Sequence, residues 1–253
     1  TTVRPRGISR TLAATGLALA TLLGAGAAQA AACTSTTVLY AAPAAVGSAD
    51  ASNWANANTL QGALATANGN TAAGQCFEIR AKQGVYKPTA TADRTISFAI
   101  TRPLQLKGGY TGTSDTDRVL NARNTVLSGD IDSNDADLSG GITPTAADIQ
   151  GSNSYHVMTI GGTGATGTGG PYSATASDAS YTLIEGLSIT GGKASGASYP
   201  QNSGGGLYCN GWDTGSICSP HIRQASFSGN SADYGGAILN NGSDSGTSSP
   251  TIS

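Results

Sequence analysis

Near its C-terminal end the chain copies itself at an interval of 30 residues. Ser219-Pro220-His221-Ile222-Arg223 recurs as Ser249-Pro250-Thr251-Ile252-Ser253, and Gly205-Gly206-Leu207-Tyr208-Cys209-Asn210 recurs as Gly235-Gly236-Ala237-Ile238-Leu239-Asn240. A period of roughly 20–50 residues belongs to stacked supersecondary units, none of which buries its apolar face alone. Upstream, Ile184-Glu185-Gly186-Leu187-Ser188-Ile189-Thr190 aligns with Ile222-Arg223-Gln224-Ala225-Ser226-Phe227-Ser228 at an offset of 38. The earlier unit therefore carries eight extra residues, assigned to the Ser/Gly/Pro/Asn stretch 195–203. A loop that leaves a stacked core tolerates such an excess, because closure entropy grows slowly with length.

Within each unit the apolar residues alternate briefly and stop at Gly or Asn. Ile184, Leu187 and Ile189 end at Gly191-Gly192; Ile222, Ala225 and Phe227 end at Gly229-Asn230. Runs this short fit strands rather than helices, and Gly and Asn suit the left-handed backbone of a sharp corner. Short strand, corner and short strand, repeated, describe coils of a parallel β-helix. Like residues then stack from coil to coil, and Asn210 over Asn240 is expected to form an amide ladder.

Composition fits one elongated β domain. The chain has 36 glycines, 11% charged residues and 6% aromatics, against roughly 7% Gly and 25% charged in ordinary globular chains. Alternating runs such as Cys76-Phe77-Glu78-Ile79-Arg80, Leu104-Gln105-Leu106-Lys107 and Val157-Met158-Thr159-Ile160 argue against a disordered tract.

Residues 1–30 read as an export signal: Arg4, Arg6 and Arg10, an apolar stretch over 12–28, and Ala28-Gln29-Ala30 as the small-x-small cleavage pattern. The apolar stretch is too short and too rich in Ala and Gly to span a membrane, so no transmembrane helix is expected in the mature chain. Removing those three arginines from the 13 basic residues leaves 10 against 15 acids, a net charge of about −5. An acidic exported chain is a poor nucleic-acid binder. Expected localisation is extracellular or at a bacterial outer-membrane surface. The sequence begins without Met and stops inside a coil, so further coils are expected beyond Ser253.

Four cysteines in an exported chain read as two disulfides. Cys209–Cys218 would staple the loop between them, and Cys33–Cys76 would tie the first mature residues to the sheet. A lipidated Cys33 is the alternative for that residue. Between Cys33 and Cys76, Leu60, Ala63, Leu64 and Ala67 fall at helical spacing after Asn58-Thr59. A helix there would close the apolar end of the stack, giving a capping segment over 31–75 and a β-helix over 76–253. Trp54 is assigned to the core of that cap and Trp212 to the stapled loop.

Several stretches resemble bacterial right-handed parallel β-helix surface proteins of the choice-of-anchor and polymorphic outer-membrane kinds. They are Ser52-Asn53-Trp54-Ala55-Asn56-Ala57, Gly84-Val85-Tyr86-Lys87-Pro88-Thr89, Leu106-Lys107-Gly108-Gly109-Tyr110, Gly235-Gly236-Ala237-Ile238 and Phe227-Ser228-Gly229-Asn230. The resemblance runs from about Ser52 to the end. It implies an all-β fold, a right-handed parallel β-helix (solenoid) with a short N-terminal capping helix. It also implies an adhesin-like, non-catalytic scaffold whose extracellular partner is a carbohydrate or a host or matrix protein.

The same fold hosts polysaccharide lyases and glycoside hydrolases, which need converging carboxylates. Beyond residue 30 there are only two glutamates, Glu78 and Glu185, and Glu185 is expected to face outward. No catalytic residue and no cofactor are assigned. His156 reads as a hydrogen-bonded strand residue, and His221 as a variable position in the repeat. The densest chemistry is Asp130-Ile131-Asp132-Ser133-Asn134-Asp135-Ala136-Asp137. Asp130, Asp132 and Asn134 match the opening ligands of a calcium loop. The glycine position holds Asp135, however, and position twelve is Gly141 in place of Glu. A weak structural calcium site and a solvated acidic loop are the two readings.

Overall fold

The computed structural model describes Thr1 and residues 33–70, 72, 74–136, 140–161, 182–212, 214 and 216–253. The expected export signal lies outside the described residues apart from Thr1, and so does Asp137. Strand β1 (Ser35–Ala41) is followed by helix α1 (Leu60–Gly69), and the rest of the chain makes repeated passes. The first pass is β2 (Gln75–Lys82), β3 (Gly84–Tyr86) and β4 (Phe98–Ile100); the second is β5 (Gln105–Tyr110), β6 (Thr125–Ser128) and β7 (Met158–Gly161). The third is β8 (Leu183–Glu185), β9 (Ser188–Thr190), β10 (Lys193–Ala194), β11 (Leu207–Asn210) and β12 (Ile217–Cys218). The fourth is β13 (His221–Arg223), β14 (Ser226–Ser228), β15 (Ser231–Ala232), β16 (Ile238–Asn241) and β17 (Thr247–Ser248), after which β18 (Thr251–Ile252) begins another.

Each pass visits the same three sheets in the same order. The long sheet runs β1-β2-β5-β8-β13-β18, the second β3-β6-β9-β14 and the third β4-β7-β11-β16, with two-stranded patches β10-β15 and β12-β17 between them. Every strand pairing is parallel. The fold is thus all-β in character, with parallel sheets and one α-helix among the described residues.

Register makes the core. Leu39, Ile79, Leu106, Ile184 and Ile222 align across the long sheet; Tyr86, Leu127, Ile189 and Phe227 align across the second; Phe98, Met158, Leu207 and Ile238 align across the third. All belong to or pack on one apolar cluster. Each buried Leu or Ile contributes roughly 1.5–3 kcal/mol relative to exposure.

Helix α1 begins where Thr59 Oγ1 accepts the Gly62 N–H at 3.1 Å, a side-chain cap on an otherwise unpaired donor. Its Leu60, Ala63, Leu64 and Ala67 enter the same core. Two polar side chains of the helix serve the free edge beside β4. Asn68 Nδ2 donates to Ala99 O at 2.8 Å, and Thr101 N donates to Asn68 Oδ1 at 3.1 Å. Gln61 Nε2 donates to Ser97 O at 3.0 Å. An unpaired strand edge is a template for aggregation, and here side-chain amides occupy it. The long sheet already starts at Ser35, within the stretch read as a capping segment.

Both expected disulfides are formed, Cys33–Cys76 and Cys209–Cys218. The Cys33 sulfur is therefore a disulfide partner and not a lipid anchor. Cys209 and Cys218 lie in the main core, so the staple is made from inside. Two disulfides fit an oxidising, extracellular environment, and no helix among the described residues is long and apolar enough to cross a membrane.

The repeat holds with one correction. The offset of 38 is observed from Ile184 over Ile222 through Ala194 over Ala232. It falls to 31 by Ser203 over Tyr234, and to 30 by Ile217 over Thr247. Seven extra residues thus lie between Ala194 and Ser203, and one more lies between Asn210 and Ile217. In β11 the offset is 31, so Asn210 pairs with Asn241 while Cys209 faces Asn240. The expected Asn210–Asn240 ladder is therefore not formed. Three consecutive glycines, 204–206, permit two alignments with Gly235-Gly236. Backbone handedness selects one of them: the positive φ values are at Gly204 (+70°) and Gly235 (+65°).

Candidate binding groove on the third sheet

The acidic loop after β6 is held by its own hydrogen bonds. Asp130 accepts the Asn134 N–H at 3.1 Å and faces Lys87 Nζ at 3.5 Å, and Asp132 accepts the Ser152 N–H at 2.7 Å. Asp135 accepts from Gln150 N, Thr143 Oγ1 and Asn153 Nδ2 at 2.7–2.9 Å. Burial raises the Asp130 pKa, with the nearby Asp135 adding to the rise against the Asn134 N–H and Lys87. Of the three calcium candidates, Asp130 and Asp132 thus already bind backbone. Among the described residues, no group of three or more His, Cys, Asp or Glu is placed to hold a metal ion.

On the outer face of the long sheet, strand alternation brings both glutamates out, each between two cations. Glu78 pairs with Arg80 Nε and Lys107 Nζ, each at 2.6 Å. Glu185, only 2% exposed, meets Arg118 at 2.5 Å and also pairs with Arg223. Burial pushes both carboxyls up, but the hydrogen bonds from their cations more than offset it, and both pKa values end below the ordinary range. A general acid must keep its proton near working pH; these two glutamates have none to give. Trp54 sits on this face as well, in a small cluster with Tyr40, Ala42 and Ala57 outside the main core, its Nε1 donating to Asp115 at 3.2 Å. His221 stands over Leu183 and under Thr251, and its Nε2 is 2.9 Å from Ser253 Oγ.

The outer face of the third sheet is different. Thr159 and Tyr208 are in register there, with Gly161, Asn210 and Asn241 one step along. Thr159, Gly161, Tyr208 and Asn210 form the floor of a groove of about 240 Å³, walled by Tyr155, Pro200 and Gln201. His156 stacks on Tyr208 with ring centroids 5.2 Å apart, and its Nδ1 donates to Gly204 O at 3.0 Å. That bond leaves the Nε2 lone pair as an acceptor. Burial lowers the His156 pKa, so the ring is neutral at pH 7. Arg94 braces Tyr155, its guanidinium 4.2 Å from the ring centroid, and donates to Asn153 O, Lys193 O and Ser195 Oγ.

Two loops flank the groove, and both are places where the third pass is longer than the fourth. The first supplies Tyr199, which meets Tyr208 edge-on at 5.8 Å and accepts a hydrogen bond from Asn241 Nδ2. The second supplies Trp212, edge-on to Tyr199 at 6.4 Å, with its Nε1 bonded to Asp244. Trp212 remains 40% exposed and Tyr199 46%. Reading the sequence alone assigned none of Tyr155, Tyr199, Gln201 or Tyr208 to a site. The signal was present in the repeat lengths, since insertions in stacked repeats collect on one face.

Among the described residues, no Asp, Glu, Lys or Arg lines the groove. Its chemistry is aromatic surface with neutral hydrogen-bonding groups, suited to binding and not to acid–base exchange between carboxylates. The chain matches no protein-family model, none of the curated proteins and none of the solved structures compared with it.

Proposed function

We propose that this chain is an exported, non-catalytic right-handed parallel β-helix of a cell-surface or secreted protein of the polymorphic outer-membrane kind, an adhesin-like scaffold that binds an extracellular ligand. Its binding face is the outer side of the third sheet. The observation that carries this reading is the uncharged aromatic groove between two loop insertions, on a lattice stapled by a core disulfide. The repeated visit to three parallel sheets supports the β-helix, and two disulfides support export. The ion-paired state of Glu78 and Glu185 favours binding over hydrolysis.

The test has two arms. Residues 1–32 placed ahead of a phosphatase active only outside the cytoplasm should give activity in intact bacteria. The purified chain should release no reducing ends or unsaturated products from pectin, xylan or chitin. A silent reporter removes the export reading, and product release removes the non-catalytic one.

A further inference from the structure

We infer that the groove takes a neutral sugar ring of an oligosaccharide, an inference that rests on the binding role proposed above. The lining restricts the ligand by charge first. Without a lysine or arginine in the wall there is no partner for a phosphate or uronate, and the nearest guanidinium, Arg94, already donates to three oxygens. Among the described residues, no aspartate or glutamate lines the groove to pair with an ammonium group. The low dielectric of a partly enclosed site makes an unpaired charge costly. The ligand is therefore uncharged.

Its shape follows from what remains. Thr95 Oγ1 already donates to Asp93, Thr159 and Tyr208 share hydroxyl bonds with Ser97 and Tyr199, and Asn210 Oδ1 accepts the Trp212 N–H, so each of these keeps only part of its capacity for a ligand. The Gln201 amide both donates and accepts. Sugar hydroxyls also do both, while the axial C–H groups of a pyranose make an apolar face that fits an aromatic ring. Tyr155 offers such a ring at the wall, and Tyr199 and Trp212 extend the aromatic surface beyond it. At about 240 Å³ the groove is smaller than the roughly 300–1,000 Å³ that encloses a drug-sized ligand. One ring fits inside, and the chain to which it belongs runs outward across the exposed aromatics. A peptide adding to a strand edge is a poorer match, because the edge beside β4 is occupied by Asn68 and Gln61 of the helix.

The test is titration calorimetry on the full chain with cellohexaose, xylohexaose, mannohexaose and chitohexaose, and with hexagalacturonate as the charged control. At least one neutral hexamer should give saturable heat, and hexagalacturonate none. Gln201→Ala should weaken that binding about 5–10-fold and Tyr155→Ala at least 20-fold, whereas Tyr234→Ala, at a ring 63% exposed that does not line the groove, should leave it unchanged. Thermal melting of each variant reports whether it folds; should Tyr155→Ala fail to, Gln201→Ala and Tyr208→Phe carry the test. Absence of heat with all four neutral hexamers overturns the inference, as does binding insensitive to Gln201→Ala and Tyr208→Phe, or preference for hexagalacturonate. If labelled protein still coats intact cells or matrix while no sugar binds, the sugar inference has failed and the binding role stands. Hydrolysis or elimination products from any hexamer would instead remove that role.

Discussion

The long sheet and the third sheet are built on the same parallel lattice, yet their outer faces carry opposite chemistry. On the long sheet the outward positions of adjacent strands hold Arg80, Lys107, Glu185 and Arg223 in register. Glu78, Asp115 and Arg118 complete the pairs, and nearly every charge is answered by a neighbour. On the third sheet the equivalent positions hold Thr159 and Tyr208, and among the described residues no ion pair forms in the groove. The inward ladders fix the fold, which leaves each outward ladder free to specialise. One face pairs charges with charges, whereas the other is held by neutral hydrogen bonds and aromatic contacts.

The largest expected break of that contrast is Glu185→Gln. The carboxylate is buried between two guanidinium groups, and removing one member of such a set leaves charge unpaired at a cost of about 3–5 kcal/mol. Urea unfolding should show that loss while sugar binding at the groove stays unchanged. A loss below about 1 kcal/mol, the worth of an exposed surface pair, would mean that the long-sheet face is as uncommitted as the other.

The reverse break is removal of the Cys209–Cys218 disulfide by Cys209→Ala with Cys218→Ala. Its loss should cost about 2–3 kcal/mol, given the short loop it closes. Here binding should weaken too, because Trp212 lies in that loop and bears on Tyr199. Unfolding and titration together check this; full affinity without the staple would detach Trp212 from the groove.

What the sequence disclosed and what it hid follow the same division. Alternation and helical spacing exposed the strands around Ile184 and Ile222 and the helix at Leu60–Gly69, because burial imposes those periods directly. The paired cysteines were legible for another reason, as four cysteines in a chain read as exported. Strands of the second pass were legible as alternating runs, but their place in the repeat was not, since Leu106 and Ile184, adjacent across the sheet, stand 78 residues apart in the chain. Loops of that size erase any fixed period. The groove was hidden more deeply: Tyr155, Tyr199 and Tyr208 come together from two different passes, and no local motif announces that meeting. Only the uneven repeat length pointed to it. Trp212, assigned to the stapled loop, is 40% exposed and reaches the groove only through its edge-on contact with Tyr199.

Acid should separate the two faces in two stages. His156 has a lowered folded pKa, so its contribution is complete above its unfolded value near 6.5 and is lost as pH falls below that. Glu78 and Glu185 also have lowered folded values, so theirs is complete above about 4.5 and is lost on further acidification. Melting temperature followed from pH 8 to 3 should therefore fall in an upper and a lower limb. Glu185→Gln should reduce the lower limb, which Glu78 shares, and His156→Gln the upper, which it shares with His221 of the long sheet, whose pKa burial also lowers. A single limb reduced by Glu185→Gln would show that the groove side contributes nothing that titrates.

The smallest effect concerns a corner shared by both faces. Between the long and second sheets the chain turns at Gly186 in the third pass and at Gln224 in the fourth, 38 residues on, with φ values of +70° and +49°. The corners make matching hydrogen bonds, Gly186 N to Arg223 O and Gln224 N to Ser253 O, each at 3.2 Å. Glycine holds such a conformation freely, whereas a residue with Cβ loses roughly 1–2 kcal/mol in it. Part of any gain from glycine returns as the added freedom of the unfolded chain, about 0.5–1 kcal/mol. Gln224 is exposed, and among the described residues its side chain has no hydrogen-bond partner. Gln224→Gly should therefore stabilise by about 0.5–1 kcal/mol in urea unfolding and leave sugar binding alone, while Gly186→Ala should destabilise by about 1 kcal/mol. Destabilisation by Gln224→Gly would mean that this corner is held by its side chain, and that the fourth pass is not a plain copy of the third.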